Sequence, residues 1–311
     1  MSENLSEEES FDVLADVLNT MRLRGTIFFR SELAAPWGMS LESGEVPRFH
    51  IALSGDCFVG TKKDKPVTVN EMDIVMLPNG NEHWIADQPG RTLIPSQRAG
   101  EACELGAPLF QVGKITNRLM CGLVQFDTEM AHPILDTFPE ILHLSGIEHS
   151  ESVWLTVMLI DAEMAKTNAR GGPIVDKLTE VLTLQLMSRY ISENKETTGF
   201  LAALNDRRVL RALTLIHREP ARDWSLTSLG MESGMSRTTL IRHFETSVGL
   251  SPIAYVMNWR LTKAYSLVKH STATIEQIAE SVGFSSARTL NKAFQRHYGR
   301  TPSELRRQRN L

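Results

Sequence analysis

The stretch Ser225-Leu226-Thr227-Ser228-Leu229-Gly230-Met231-Glu232-Ser233-Gly234-Met235-Ser236-Arg237-Thr238-Thr239-Leu240-Ile241-Arg242-His243-Phe244 reads as two short helices about a tight turn. Apolar residues at helical spacing stop at Gly234 and restart behind Ser236, a good N-cap. The grammar returns at Thr274-Ile275-Glu276-Gln277-Ile278-Ala279-Glu280-Ser281-Val282-Gly283-Phe284-Ser285-Ser286-Ala287-Arg288-Thr289-Leu290-Asn291-Lys292-Ala293-Phe294, with Gly283 as the turn and Ser285 or Ser286 as the cap. The two turn glycines stand 49 residues apart.

A helix that enters a DNA major groove needs a short turn behind it, an apolar face for its partner helix, and an outer face of small polar and cationic residues. Both units supply these. Leu240 and Phe244 are expected inward, with Arg237, Thr238, Ile241 and Arg242 outward; Leu290 and Phe294 are expected inward, with Arg288, Thr289 and Lys292 outward. Arginine can read guanine bidentately, threonine can meet a thymine methyl, and lysine mainly holds phosphate. The candidate DNA contacts are therefore Ser236, Arg237, Thr238, Arg242, Ser286, Arg288, Thr289 and Lys292.

Over roughly residues 201–306 the sequence resembles the AraC/XylS transcription regulators. Met235-Ser236-Arg237, Val248-Gly249-Leu250-Ser251-Pro252, Trp259-Arg260-Leu261, Ile278-Ala279-Glu280-Ser281-Val282-Gly283-Phe284 and Tyr298-Gly299-Arg300-Thr301-Pro302 fall in that family's order. The resemblance implies that a long helix, about Pro252 to Lys269, spaces the two units so that both recognition helices reach successive grooves of double-stranded promoter DNA. It also implies a homodimer, RNA polymerase as a partner, and activation rather than repression of transcription. Two positions depart from the family pattern: Gly230 stands where alanine is usual, and Leu290 where phenylalanine is common. Both lie on inner faces, so packing is touched more than DNA contact.

At 311 residues, two domains are expected. Charge is unevenly shared between them. Residues 200–311 hold 17 Lys and Arg against 8 Asp and Glu, whereas residues 1–199 hold 16 against 29. The net charge of −4 thus hides a basic end suited to DNA and an acidic remainder. Cys57, Cys103 and Cys121 form no CxxC pair and no disulfide framework, which suits a cytoplasmic chain. The acidic Met1–Ser10 reads as a disordered tip and not as a secretory signal, and no apolar run approaches membrane-spanning length.

Phe11 to Met21 has the apolar spacing of a short helix. Short runs with strand character follow at residues 26–30, 47–53, 57–60, 66–69, 73–77, 83–86 and 122–126, parted by Gly, Pro, Asp and Asn. Such a series reads as an antiparallel sandwich or barrel. This half resembles the cupin barrel, in the form found ahead of some AraC-type DNA-binding domains. Leu77-Pro78-Asn79-Gly80-Asn81-Glu82-His83 matches the second cupin motif, P-x-G-x-x-H. In the first, G-x5-H-x-H-x3-E, Gly44 and His50 fit, but Ala52 replaces the second histidine and Asp56 the glutamate.

His50, His83 and Cys121 are the residues left to carry chemistry in this half. Strands facing each other in a barrel can bring two imidazoles together as a divalent metal site for Zn, Cu or Fe, with His50 and His83 as ligands and Cys121 as a third donor. The plainer reading makes the histidines packed residues hydrogen-bonded to backbone and Cys121 a small buried hydrophobe. A redox role for Cys121 needs a low thiol pKa or a partner thiol.

Residues 87–120 read as an aperiodic insertion, either a lid over the barrel mouth or a disordered excursion. His132 reads as a loop or capping residue. Two apolar helices follow, one through Trp154, Val157 and Ile160, the other from Val175 to Ile191, with a Gly171-Gly172-Pro173 break between them. The second is apolar over too wide an arc for one packing contact, and the excess suits a helix-pair dimer interface. The expected fold is α+β: an antiparallel cupin-like barrel with a following helix pair (8–192), a polar linker (193–200) and an all-α domain with two helix-turn-helix units (201–311). The expected function is a regulator that answers a small molecule, metal or oxidant. The competing reading is a metal-dependent cupin enzyme with a DNA-binding tail, against which the replaced ligands at Ala52 and Asp56 count.

Overall fold

The computed structural model describes residues 12–22, 24–44, 46–62, 65–104, 109–125, 134, 137–166, 171–194 and 199–308. The tip at residues 1–10, His132, residues 195–198 of the linker and the side chain of Cys103 lie outside the described part. The chain divides into two compact units. One comprises Arg24–Phe126 and Phe138–Tyr190; the other comprises Met1–Leu23, Asp127–Thr137 and Ile191–Leu311.

Strand-forming sequence fills most of the first unit. Its strands are β1 (Arg24–Ala34), β2 (Gly38–Leu41), β3 (Arg48–Ser54), β4 (Cys57–Gly60), β5 (Val67–Val69), β6 (Ile74–Leu77), β7 (His83–Ala86), β8 (Ile94–Pro95), β9 (Ile115–Gln125) and β10 (Leu142–Leu144). They make two five-stranded sheets, β1-β9-β3-β6-β10 and β5-β4-β7-β2-β8. All pairs are antiparallel except β2 with β8. One apolar core, which includes Leu33, Trp37, Met39, Val59, Val75 and Ile85, fills the space within. Trp37 buries its indole there because Nε1–H finds a partner, Asn117 Oδ1 at 3.0 Å.

Residues 87–120 differ from their reading as an aperiodic lid. They carry β8, a helix α2 (Ser96–Glu104) that buries Ala99 in the barrel core, and the first half of β9. β9 begins at Ile115, seven residues before the apolar run that marks it in the sequence, because its first half alternates polar and apolar residues against β1 and β3. Two helices, α3 (Ser152–Lys166) and α4 (Pro173–Glu193), the latter up to Tyr190, complete this unit. Arg30 on β1 ties to Asp161 on α3 at 2.6 Å, and Gly25 lets α4 approach β1 so closely that a Cβ there would lie 2.4 Å from Thr179 Cγ2. The surplus apolar surface falls more on α3 than on α4, where the sequence puts it. Leu155, Met158 and Leu159 remain 52%, 47% and 55% exposed, joined on α4 by Ile174 and Val181.

The second unit is helical. A helix over residues 12–20 (α1) belongs to it, followed by α5 (Gly199–Asn205), α6 (Arg207–Arg218), α7 (Leu226–Ser233), α8 (Arg237–Val248), α9 (Pro252–His270), α10 (Ile275–Ser281), α11 (Ala287–Tyr298) and α12 (Pro302–Gln308). Here the structure departs from the sequence, which sets residues 12–20 at the head of the barrel half. Val13, Leu14, Val17 and Leu18 are fully buried, and Asp16 reaches His217 Nδ1 at 2.8 Å and Lys263 Nζ at 3.0 Å. Asp206 opens α6 as N-cap, accepting from Arg208 N and Val209 N.

Candidate functional site

The two helix-turn-helix units form as their sequences dictate. In the first, Ser225 caps α7 with a capping box, Gly234 takes the left-handed conformation at its end (φ 73°), and Ser236 caps α8 by accepting from Thr239 N at 3.2 Å. In the second, Thr274 caps α10 with a box to Gln277, and Ser286, not Ser285, caps α11 by accepting from Thr289 N at 3.2 Å. Leu240, Phe244, Leu290 and Phe294 are fully buried.

The outer faces stay in solvent. Arg237, Thr238 and Arg242 on α8, and Arg288, Thr289 and Lys292 on α11, are exposed. Among the described residues, no carboxylate lies within ion-pair distance of Arg237, Arg242, Arg288 or Lys292. Thr238, Ile241, Arg242, Glu245 and Thr246 line a shallow groove of about 430 Å³. Three residues on the list of candidate contacts serve the helix tips. Ser236 and Ser286 are caps, and Thr289 Oγ1–H donates to Ser286 O at 2.7 Å. Sequence reasoning passed over Gln295 and Arg296, which are exposed one turn further along α11; the helical repeat from Arg288 through Lys292 is the signal that leads to them.

α9 holds the two units together. In the first, Tyr255 packs against Phe200 and Phe244, with ring centroids 6.0 and 5.7 Å away. In the second, Tyr265 lies parallel to Phe294 at 6.0 Å and meets Tyr298 at 4.9 Å. With 19 residues, α9 spans about 28 Å at 1.5 Å per residue.

In the β unit the three singled-out residues converge. His50 stands opposite Cys121 across the β3–β9 ladder, and His83 reaches them from β7 in the facing sheet. His50 Nδ1 lies 2.9 Å from Cys121 Sγ, His50 Nε2 lies 2.8 Å from His83 Nε2, and His83 Nδ1 lies 2.8 Å from the Asn81 carbonyl oxygen. The motif glycines meet beside them, Gly44 N–H donating to Gly80 O at 2.9 Å. Burial holds His50 far below the ordinary imidazole range, reinforced by the nearby His83 and Arg48. Burial likewise lowers His83 to about 4. Both rings are therefore neutral at pH 7, each with one N–H and one lone pair.

Only one proton arrangement satisfies every contact. The Asn81 carbonyl can only accept, so His83 donates from Nδ1 and accepts at Nε2. His50 then donates from Nε2 and accepts at Nδ1, from the Cys121 thiol. That thiol is protonated, because burial pushes its pKa up, as burial does for Cys57, raised to about 12. Burial thus denies Cys121 the low thiol pKa, one of the two routes to a redox role; for the other, a partner thiol, Cys57 is a further free cysteine of the same buried cluster.

The same geometry tests the metal reading. Cys121 meets one nitrogen of His50 and His83 meets the other, so the three donors do not face one point. Among the described residues no group of three or more His, Cys, Asp or Glu side chains can hold a metal ion. Ala52 is buried in the core, and Asp56 is exposed at a turn, accepting from Glu71 N at 3.1 Å. The residues present thus offer two imidazole nitrogens, two fewer than a four-coordinate site requires.

Residues 12–192 match the family described as Cupin, and residues 229–308 the one described as Helix-turn-helix domain. An HTH-type transcriptional regulator of Haemophilus influenzae is 28% identical over 305 residues, covering 96% of this chain and 100% of that one. The HTH-type transcriptional regulator MtrA of Neisseria gonorrhoeae is 27% identical over 309 residues, covering 96% and 98%. An AraC-like transcription regulator of Streptomyces lividans is 26% identical over 310 residues, covering 95% and 98%. These relatives are named as regulators of transcription, and the reading as a cupin enzyme with a DNA-binding tail gives way to them. Two capped helices with exposed cations, following a half-eroded cupin motif in the chain, have the same explanation: the chain belongs to the cupin family over its amino-terminal half and is a DNA-binding, AraC-type transcriptional regulator.

Proposed function

We propose that α8 and α11 enter successive major grooves of one promoter site, and that Arg237, Thr238, Arg242, Arg288, Thr289 and Lys292 make the contacts. The observation that carries this reading is the repeated design: each helix begins at a capped tip and presents exposed cations that pair with no carboxylate among the described residues, and one 19-residue helix spaces the two. Ser236 and Ser286 serve by capping the two helix N-termini, whose partial positive charge suits a nearby phosphate. Binding of double-stranded DNA selected from a random pool tests the assignment. Arg242→Ala or Arg288→Ala is expected to weaken binding by about 1–3 kcal/mol and relax preference at one base pair where the arginine reads a base. A uniform loss over all sequences, with a shallower salt dependence, assigns it to phosphate instead.

The cupin-like half is read as the sensor. A small molecule acting there changes DNA binding through its different affinity for two states of the protein. Support comes from the His50–His83–Cys121 chain, three linked polar side chains buried between the two sheets. The exposed Leu155, Met158 and Leu159 support a homodimer through the helix pair. Activation through RNA polymerase rests on the family alone. Elemental analysis of the purified chain and of His83→Ala separates the effector classes. Stoichiometric metal lost in the variant makes the sensor metal-centred; its absence from protein that still binds DNA turns the search to an organic ligand. For the dimer, Leu159→Glu is expected to shift sedimentation to the monomer.

A further inference from the structure

Trp259-Arg260-Leu261 belongs to the family motifs, yet Arg260 touches no candidate DNA contact. It stands on α9 midway between Tyr255, packed in the first helix-turn-helix unit, and Tyr265, packed in the second. Its guanidinium is spent on main-chain carbonyls from both sides of that junction. Nε donates to Pro220 O at 2.8 Å and Nη2 to Arg222 O at 2.7 Å, in the segment that leads into α7. Nη1 donates to Gly283 O at 2.9 Å, in the turn of the second unit. No carboxylate lies within ion-pair distance of Arg260 among the described residues.

The two backbones meet at the same point. Gly283 has φ of +84°, and a Cβ there would lie 2.7 Å from both Cα and the carbonyl oxygen of Ala221 and 2.9 Å from Cζ of Arg260. The turn of the second unit is therefore packed on the chain entering the first, with one planar fork bonding both. A lysine cannot replace that fork, since its three donors radiate from a single nitrogen. Each unit also has its own aromatic core, so each helix can be held in place without Arg260 while the angle between units is not.

We propose that Arg260 is a positioning residue for DNA recognition, clamping the two helix-turn-helix units so that α8 and α11 accept half-sites at one spacing only. The inference rests on the reading that both helices enter DNA. A rigid pair gains from the second contact because the first already holds it near its target, and a loosened pair forfeits part of that gain.

The test uses the full-length chain and a duplex selected from a random pool. Each half of the selected site is scrambled in turn, and in a third duplex the spacer is lengthened by one base pair. Arg260→Lys and Arg260→Met are expected to lose about 10- to 100-fold on the intact site, the range that two or three charge-assisted hydrogen bonds support. On duplexes with one intact half they keep wild-type affinity within about 3-fold, and the added base pair penalises them less than wild type. Gly283→Ala, which forces the junction open from the other side, is expected to show the same pattern. If wild type is indifferent to scrambling one half, the two-helix reading falls and this inference with it. If wild type needs both halves while Arg260→Lys loses the same factor on every duplex, or loses nothing on the intact one, the inference alone is overturned.

Discussion

Gly230 shows how one atom decides a turn. It is buried in α7, and a Cβ there would approach the carbonyl oxygen of Met235 to 2.8 Å, across the turn that Met235 N closes by donating to Gly230 O. Alanine would gain up to about 1 kcal/mol of helix propensity, whereas crowding a packed site typically costs about 1–3 kcal/mol. Gly230→Ala is thus expected to lower stability by about 1 kcal/mol, as a fall in the urea midpoint; an unchanged or raised midpoint would mean that the turn yields freely. The histidine pair makes a second prediction at this scale. His50 and His83 are pushed below the ordinary imidazole value by burial, so the unfolded chain takes up protons before the folded one. Their contribution is complete above about pH 6.5 and is lost as pH falls toward the folded value, about 4 for His83. A shift of that size corresponds to roughly 3 kcal/mol at about 1.4 kcal/mol per unit. Melting temperature followed from pH 7.5 to 4.5 is expected to fall more steeply in wild type than in His83→Gln, and parallel curves would count against the neutral hydrogen-bonded chain.

Capped helices are the elements whose ends the sequence marks best. Ser225, Ser236, Ser251, Thr274 and Ser286 each accept a backbone N–H as caps, and each stands just ahead of a helical run in the sequence. Ser236→Ala and Ser286→Ala are each expected to cost about 1 kcal/mol in the unfolding of the helical unit, while Ser285→Ala, one residue away from a cap, costs less. Equal losses at Ser285 and Ser286 would place the cap wrongly. The helical half was legible because its signals are local: a glycine, a cap, and apolar residues at 3.6-residue spacing. In the barrel half, pairing partners are distant in sequence, and only strands with apolar runs could be found. β2, β8 and β10 have four, two and three residues and carry no such run, and β9 hides its first half behind polar alternation. The convergence of His50 and His83 could be suspected from the cupin motifs, but which ring nitrogen meets Cys121 depends on strand register. That detail decides between a hydrogen-bonded chain and a three-donor cluster.

At the scale of the molecule, the chain's first described helix is built into the unit that carries the DNA-binding helices. No local pattern marks this, because α1 has the same apolar spacing whichever core it serves. The polar contacts identify its partner. Tyr255 O–H donates to His217 Nε2 at 2.7 Å, and the neutral His217 donates from Nδ1 to Asp16. Burial opposes ionisation of Asp16, but the bonds from His217 and Lys263 outweigh it and hold its pKa below the ordinary value. Burial also lowers His217, against the pull of Asp16, so the imidazole is neutral and Lys263 supplies the balancing charge. Asp12 adds a contact to Arg218 at 3.2 Å at the surface. Removing the Asp16 carboxylate leaves a buried imidazole N–H without its acceptor and frees Lys263, so Asp16→Ala is expected to cost about 1–3 kcal/mol. The depressed Asp16 pKa makes its contribution complete above the ordinary carboxylate value and lost as pH falls through the folded one. Hydrogen exchange locates the effect: in Asp16→Ala, amides of α6 and α9 around His217 and Lys263 are expected to exchange faster, with those of β3 and β9 unchanged. Faster exchange in the β strands, and none in α6 or α9, would show that α1 serves the barrel core after all.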